Sequence, residues 1–422
     1  MRAPASGSTP LSRPAFRRVW AGMTVSAAGD SASWIALVSL SLGAAHASLP
    51  VLVALYTAPV ALGGLGAGWA LDRFDRRRLM IADNAARSAV FASIPLAAAI
   101  AEPGPIQLYA VAGIYGLLKM ISLAGFPSLI PSLVPAAQLD QANALEGASY
   151  GLASLAGAAL AGLAVATLGP VPVVAFDAAS YLILACCLFS VRGLTLPAPR
   201  RRPRRGRTAG GTGLVTVVRL AASSPVLRAT TMMFALFNIG EGMLLVFLPH
   251  RALSLGLGPG GYGYLVTATT GGELAAAALL ARRPWRPALL PSIITAQLAA
   301  ALAVLVLIAG SAAATLPALA ALGVCSAPMT AWAQTLRMRL VPPEAHGRLF
   351  ALLRTAMQAT PPLGAALAAF TMARGTLATI LTAAAMMGLP AAVLAPGLLA
   401  FRATAEGRGG ESGSAERAEE VP

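Results

Sequence analysis

The chain has 422 residues, of which 57% are hydrophobic and 11% charged, where a soluble domain carries about 25% charge. With a mean hydropathy of +0.72, this excludes an ordinary soluble protein and points to a polytopic membrane protein. The formal net charge of +15 would suggest nucleic acid in a soluble chain, but the arginines cluster in loops between apolar runs, which fits membrane topology and anionic headgroups instead.

Residues 1–15 are polar and basic, with no short apolar core and cleavage site after them, and read as a cytoplasmic tail. A helix needs about 20 apolar residues to cross the bilayer core. On that measure twelve spans are predicted, at 16–42, 48–71, 78–101, 105–134, 139–168, 171–191, 226–249, 260–281, 287–309, 312–340, 348–373 and 376–401. They divide into a six-helix bundle over 16–191, a basic Arg-, Pro- and Gly-rich linker over 192–225, a second bundle over 226–401 and a Glu-, Gly- and Ser-rich tail over 402–422, expected to be disordered. Arg13, Arg17, Arg18, Arg73, Arg76 to Arg78, Arg200 to Arg207, Arg282, Arg283, Arg286, Arg337, Arg339, Arg348 and Arg402 fall on one side. His46, Glu102, His250, Arg251 and Arg374 fall on the other, which places both termini inside.

The halves repeat. An offset of 207 residues carries Val134-Pro135 onto Val341-Pro342 and Gly157-Ala158-Ala159-Leu160 onto Gly364-Ala365-Ala366-Leu367. Gly29-Asp30 in the first span is echoed, with a small shift, by Gly240-Glu241 in the seventh. Internal repeats of this kind mark transporter folds.

Between the second and third spans stand Gly68, Asp72, Arg73, Asp75, Arg76 and Arg77. This tight cationic turn resembles the loop signature of the major facilitator superfamily, with Asp75 in place of the usual second glycine. Asp tolerates a left-handed turn better than most residues, so Asp75 is expected to make one. Gly29-Asp30, Asp83 with Arg87, the run Leu133 to Leu145, Phe176 to Tyr181 and His346-Gly347-Arg348 are similar to the enterobactin-exporter and macrolide-efflux branch. The resemblance covers nearly the whole chain. It implies an all-α integral membrane fold, twelve transmembrane helices in two pseudo-symmetric six-helix bundles, with spans one, four, seven and ten around a central cavity. It also implies a cytoplasmic gate in which Asp72 meets the N-terminus of span eleven, while Arg73, Arg76, Arg77 and Arg78 bind headgroups and neighbouring acids.

No Ser-His-acid arrangement, phosphate-cradling loop or His and Cys cluster appears, so neither an enzyme nor a metal or other cofactor is expected. Cys186, Cys187 and Cys325 lie inside apolar runs without ligand or loop-disulfide spacing. Charges at membrane depth are costly and mark function. The candidates for a substrate and proton-coupling cavity are Asp30 and Trp34 in span one, Tyr115 and Lys119 in span four, Asn238 and Glu241 in span seven, and Thr330 and Gln334 in span ten. Ser26, Ser33, Ser122, Thr231 and Ser326 extend these polar stripes, with packing or back-bonding to the helix as the plain alternative. Glu273 in span eight, following Thr267 and Thr270, is a further buried-acid candidate, with pairing to a cytoplasmic arginine as a gate element as the equal alternative. Asp83 and Arg87, four apart, read as a structural pair, and Asp177 reads as structural. Lys119, the only lysine in the chain, lies about 20 Å from either end of its helix and is expected to pair with Asp30 or Glu241. Ala158 stands where drug antiporters often carry a proline, which weakens an antiport reading though not transport. The expectation is a secondary transporter that exports an amphipathic small molecule (a drug, a macrolide-like compound or a siderophore) against proton entry. Its partners would be that substrate, protons and anionic lipids, without nucleic acid and as a monomer. A lipid or lysolipid transporter of the same fold and a non-transporting membrane sensor or scaffold are the alternatives.

Overall fold

In lipid every backbone N–H and C=O must be satisfied within the protein, so the apolar runs fold as helices. The computed structural model describes residues 9–191, 224–258, 260–282, 288–341, Leu353, Met357 and 359–419. The side chains of residues 61, 62, 65, 72 and 398 onward lie outside that description. The helices are α1 (Pro14–Gly43), α2 (Leu49–Arg73), α3 (Arg76–Ala98), α4 (Pro105–Leu133), α5 (Leu139–Leu168), α6 (Pro170–Ser190), α7 (Pro225–Ser254), α8 (Gly261–Arg282), α9 (Leu289–Leu305), α10 (Ala312–Leu340), α11 (Pro361–Met372) and α12 (Thr376–Glu419). Proline opens α1, α4, α6, α7 and α11, where its fixed φ suits a first turn and its missing N–H costs nothing. Among the described residues nine helices are long and apolar enough to cross a membrane. The third helix, α3, is not one of the nine; it carries Asp83, Asn84 and Arg87 at mid-length.

Helix contacts repeat between the halves. In the first, α1 packs on α5 and α6, α2 on α4, and α3 on α4 and α6. In the second, six helices on, α7 packs on α11 and α12, α8 on α10, and α9 on α10 and α12. The halves meet through α5 against α8 and α2 against α11, two contacts that exchange under the same repeat. These are the two bundles expected from the 207-residue offset.

Small residues set the close crossings, because helices in lipid associate through tight van der Waals packing rather than a hydrophobic drive. A side chain at Gly157 would meet the backbone of Ala28 in α1, its Cβ only 2.9 Å from Ala28 Cα. At Gly364, 207 residues on, a Cβ would meet Ile239 O and lie 2.9 Å from Gly242 Cα in α7. Between the halves, a Cβ at Gly162 would lie 2.9 Å from Gly260 O and 3.3 Å from Gly263 Cα.

Several expectations are corrected. Asp75 is not left-handed: with φ −61° and ψ 116° it caps α3, its carboxylate accepting the Arg78 N–H at 2.8 Å. A carboxylate serves there because the helix start leaves orphan N–H groups and partial positive charge. Arg251 is not a loop residue, since α7 continues through Pro249 and buries its guanidinium, which donates to Leu307 O. The linker 192–223, the loop arginines Arg283 and Arg286, His346-Gly347-Arg348 at the start of span eleven, and the Asp72 side chain lie outside the described residues.

The packing gives a paired test. Gly157→Ala should lower thermal stability in detergent by about 1–3 kcal/mol through overpacking on α1. Gly113→Ala, in α4 with nothing within 4 Å of its Cβ position, should be neutral or gain up to about 1 kcal/mol. Melting curves of the two purified variants check both.

Candidate functional site in the first bundle

Helical spacing puts Asp83, Asn84 and Arg87 on one face of α3, turned inward. All three are buried, Arg87 to 1% exposure. A guanidinium at that depth requires partners, and several elements supply them. Arg87 Nη2 donates to Asp83 Oδ2 at 2.8 Å, to Asn84 Oδ1 at 3.1 Å and to Ser122 Oγ of α4. The Ser122 hydroxyl in turn donates to Asp83 Oδ2 at 2.8 Å. On the α1 side, Arg87 Nη1 lies 3.9 Å from Asp30 Oδ1, and the same oxygen accepts the Tyr181 hydroxyl of α6. The Arg87 guanidinium stacks 4.5 Å from the Tyr181 ring centroid. Arg87 therefore lies between two carboxylates, held closely by one and loosely by the other. Its Nε and Asp83 Oδ1 have no hydrogen-bond partner among the described residues, so the network is not saturated.

Aromatic rings close the site. Trp34 and Tyr56 have centroids 4.3 Å apart, Tyr56 stacks on Tyr115 at 4.9 Å, and Phe91 stands edge-on to Tyr115 and Tyr181 at 5.4 and 5.5 Å. Lys119 does not form the expected ion pair with Asp30 or Glu241. Its ammonium lies 5.3 and 5.5 Å from the ring centres of Tyr56 and Tyr115, within cation–π range. Arg87 already occupies the approach to Asp30, and Glu241 belongs to the other bundle. Lys119, Asp30, Arg87 and Ser122 nonetheless line one small cavity with Ser26 and Tyr150.

Of the remaining candidates, Trp34 reaches across the halves: its indole N–H donates to the Tyr262 hydroxyl of α8 at 2.8 Å. Glu241 lines a separate cavity of about 250 Å³ with Tyr262, Thr269 and Thr270 in the second bundle. Glu273 sits on α8 one turn beyond that wall and is half-buried. Asn238 and Thr330 bond back to their own helices, to Phe234 O at 2.8 Å and Ser326 O at 3.0 Å, and Gln334 is exposed. Ser326 bonds to Leu322 O and Thr231 to Leu227 O. The plain packing alternative thus describes the second-half stripe.

At the loop, Arg77 donates to the carbonyls of Leu188 and Phe189, at 2.8 and 2.7 Å, and Arg76 to Ser128 O at 3.2 Å. Arg77 thus sits on the C-terminal turn of α6, where the helix dipole is negative. Arg73 lies over the exposed Trp69 ring at 5.8 Å. Gly68 is exposed on α2, with open space at its Cβ position.

The sequence profile of the Major Facilitator Superfamily matches residues 19–365. The chain belongs to the Major Facilitator Superfamily. It is 31% identical over 336 residues to an uncharacterized MFS-type transporter, y4rN, of Sinorhizobium fredii, covering 77% of this chain and 80% of that one. It is 29% identical over 202 residues to the multidrug efflux pump Tap of Mycobacterium tuberculosis, covering 45% and 48% of the two chains. In fold it is similar to a crystal structure of the peptide transporter POT, with a TM-score of 0.69, 12% identity and 93% and 99% coverage. Superfamily members are transporters, not enzymes. Tyr56, Phe91, Tyr150 and Tyr262 were not read from the sequence of this superfamily chain, and Tyr181 was read only within the run Phe176 to Tyr181. Isolated aromatics in apolar runs carry no pattern. The Asp30–Arg87 contact was also missed, because its partners are 57 residues apart on different helices.

Removing one partner of a buried pair leaves an uncompensated charge. Arg87→Met should therefore cost about 3–5 kcal/mol, and adding Asp83→Leu should return a good part of it. A double-mutant cycle of thermal melts measures this; additive losses would mean the pair is not coupled.

Proposed function

We propose that the chain is a secondary active transporter that exports an amphipathic small molecule, coupled to proton entry, by alternating access in a bacterial cytoplasmic membrane. The substrate class we assign is the one handled by the enterobactin-exporter and macrolide-efflux branch: a drug, a macrolide-like compound or a siderophore. Both termini lie inside, the transporter works as a monomer, and the bundles over 16–191 and 226–401 rock about their interface. The observation that carries this reading is the charged cluster of buried Arg87 and Asp83 with half-buried Asp30, beside an aromatic wall. Charges at membrane depth are costly and mark a functional site by default. The name of Tap, a multidrug efflux pump, supports the export direction.

Asp30 is the coupling residue we assign. It faces Arg87 at 3.9 Å and accepts the Tyr181 hydroxyl, while Asp83 and Ser122 hold Arg87 on its other side. A change in the Asp30 contact would alter how α1 meets α3 and α6, and α1 also carries Trp34, which bonds across the halves to Tyr262. The aromatic wall of Trp34, Tyr56 and Tyr115 takes the apolar part of the substrate, and Lys119 a polar end. In the second bundle Glu241 lines the facing wall, with Asn238, Thr330, Gln334 and Glu273 as candidates that act when the cavity opens. Asp72, with Gly68 and Arg73, gates the cytoplasmic side against span eleven.

A second reading is a lipid or lysolipid transporter of the same fold. The two differ in what crosses the membrane. A growth panel of toxic compounds identifies a substrate, and proteoliposomes with an imposed pH gradient then test coupling. Asp30→Asn should abolish pH-driven uptake into inverted vesicles while leaving the protein folded and able to bind substrate. Normal pH dependence in Asp30→Asn would remove Asp30 from coupling. Movement of a fluorescent lysolipid, without drug transport, would select the second reading.

A further inference from the structure

A second open space lies away from the charged cluster. It is a groove of about 860 Å³ on the flank of the second bundle, within the roughly 300–1,000 Å³ that ligand sites occupy. It exists because α8 and α9 each pack on α10 rather than on one another, leaving a gap with α10 as its floor. Short side chains keep it open: Ala296 and Ala299 on α9 face Leu279 on α8 and Val324 on α10. Leu279 and Val324 are 64% and 45% exposed, so the groove faces the surrounding lipid.

Its polarity is graded along the membrane normal. At one end stand Arg282, the last residue of α8, and Ser292, in the first turn of α9. Arg282 is exposed, and its guanidinium forms no ion pair among the described residues. From that end the lining becomes apolar. Ala299 is about 15 Å along α9, one leaflet of the hydrocarbon core, and Val324 is about 24 Å from the end of α10. A cation and a hydroxyl at headgroup level above a channel one acyl chain deep form the negative image of an anionic phospholipid.

We propose that this groove is a binding site for one anionic glycerophospholipid, its phosphate on Arg282 and Ser292 and one acyl chain along Ala296, Ala299 and Val324. The site is independent of the transport reading: α10 separates it from the first-bundle cluster, and the lipid is held rather than moved. Charge complementarity favours an anionic over a zwitterionic headgroup, because arginine pairs a phosphate through a fixed fork of donors, and a choline cation would meet Arg282 with like charge.

The test uses the full-length protein purified in detergent, with dioleoyl phosphatidylglycerol or dioleoyl phosphatidylcholine added at matched ratios. Melting temperature and the lipids retained in native mass spectrometry are read. Phosphatidylglycerol should raise the melting temperature by at least about 3 °C more than phosphatidylcholine and remain as a single adduct. Arg282→Gln should lose that preference. Arg374→Gln, an exposed arginine away from the groove, should keep it. Ala299→Trp, which fills the channel, should lose the adduct; if it does not fold, the Arg282 and Arg374 pair decides. Equal stabilisation by the two lipids, or a preference that survives Arg282→Gln, would mean ordinary annular lipid only and would overturn the proposal.

Discussion

Everything in the first bundle depends on how a guanidinium is kept at membrane depth. Water is not there to solvate Arg87, so the protein must supply every partner from packed helices. Asp83 and Asn84 come from its own helix, Ser122 from α4, Asp30 from α1, and a π face from Tyr181 on α6. Four of the six helices are thereby committed to one cation. The close crossing of α1 on α5 at Gly157 and of α1 on α6 at Gly29 follows: a Cβ at Gly29 would lie 2.7 Å from Ser180 Oγ and overlap Asp177. Small residues along α1 let the acid approach Arg87.

The two halves share a backbone plan but not a charge plan. The symmetric glycine contacts, Gly157 on α1 and Gly364 on α7, show that helix packing was duplicated. The first half gathers Asp30, Asp83, Arg87 and Lys119 at one place; the second holds Glu241 beside a cavity, with Arg251 and Arg337 buried but not lining it. They are joined where Trp34 meets Tyr262 and Gly162 meets Gly263. These contacts lie near the ends of α5 and the start of α8, so the bundles are closed together at the end of the molecule opposite the termini.

Much of this was legible in the sequence. Spans come from hydropathy alone, and the offset of 207 residues reappears as equivalent crossings in space. Asp30, Lys119 and Glu241 were identified as buried charges because lipid makes any such residue conspicuous. What sequence could not supply was partnership. The i,i+4 spacing of Asp83 and Arg87 is visible, but Asp30 against Arg87 is a contact of tertiary packing, and so the lysine was matched to an acid it does not meet. Asp75 shows the same limit at short range. Its tolerance of positive φ was the wrong property to weigh, because the first turn of α3 needed an acceptor more than the loop needed a left-handed residue. For Arg76 and Arg77, net charge indicated the side of the membrane but not the backbone carbonyls that the guanidinium groups bind.

The central claim is that the carboxylates of Asp83 and Asp30 together hold Arg87 at membrane depth. A double-mutant cycle of thermal melts on Asp30 and Arg87, with the protein in lipid, addresses it without any substrate. Asp30→Asn and Arg87→Met together should cost less than the sum of the two alone. Strictly additive losses would contradict the claim.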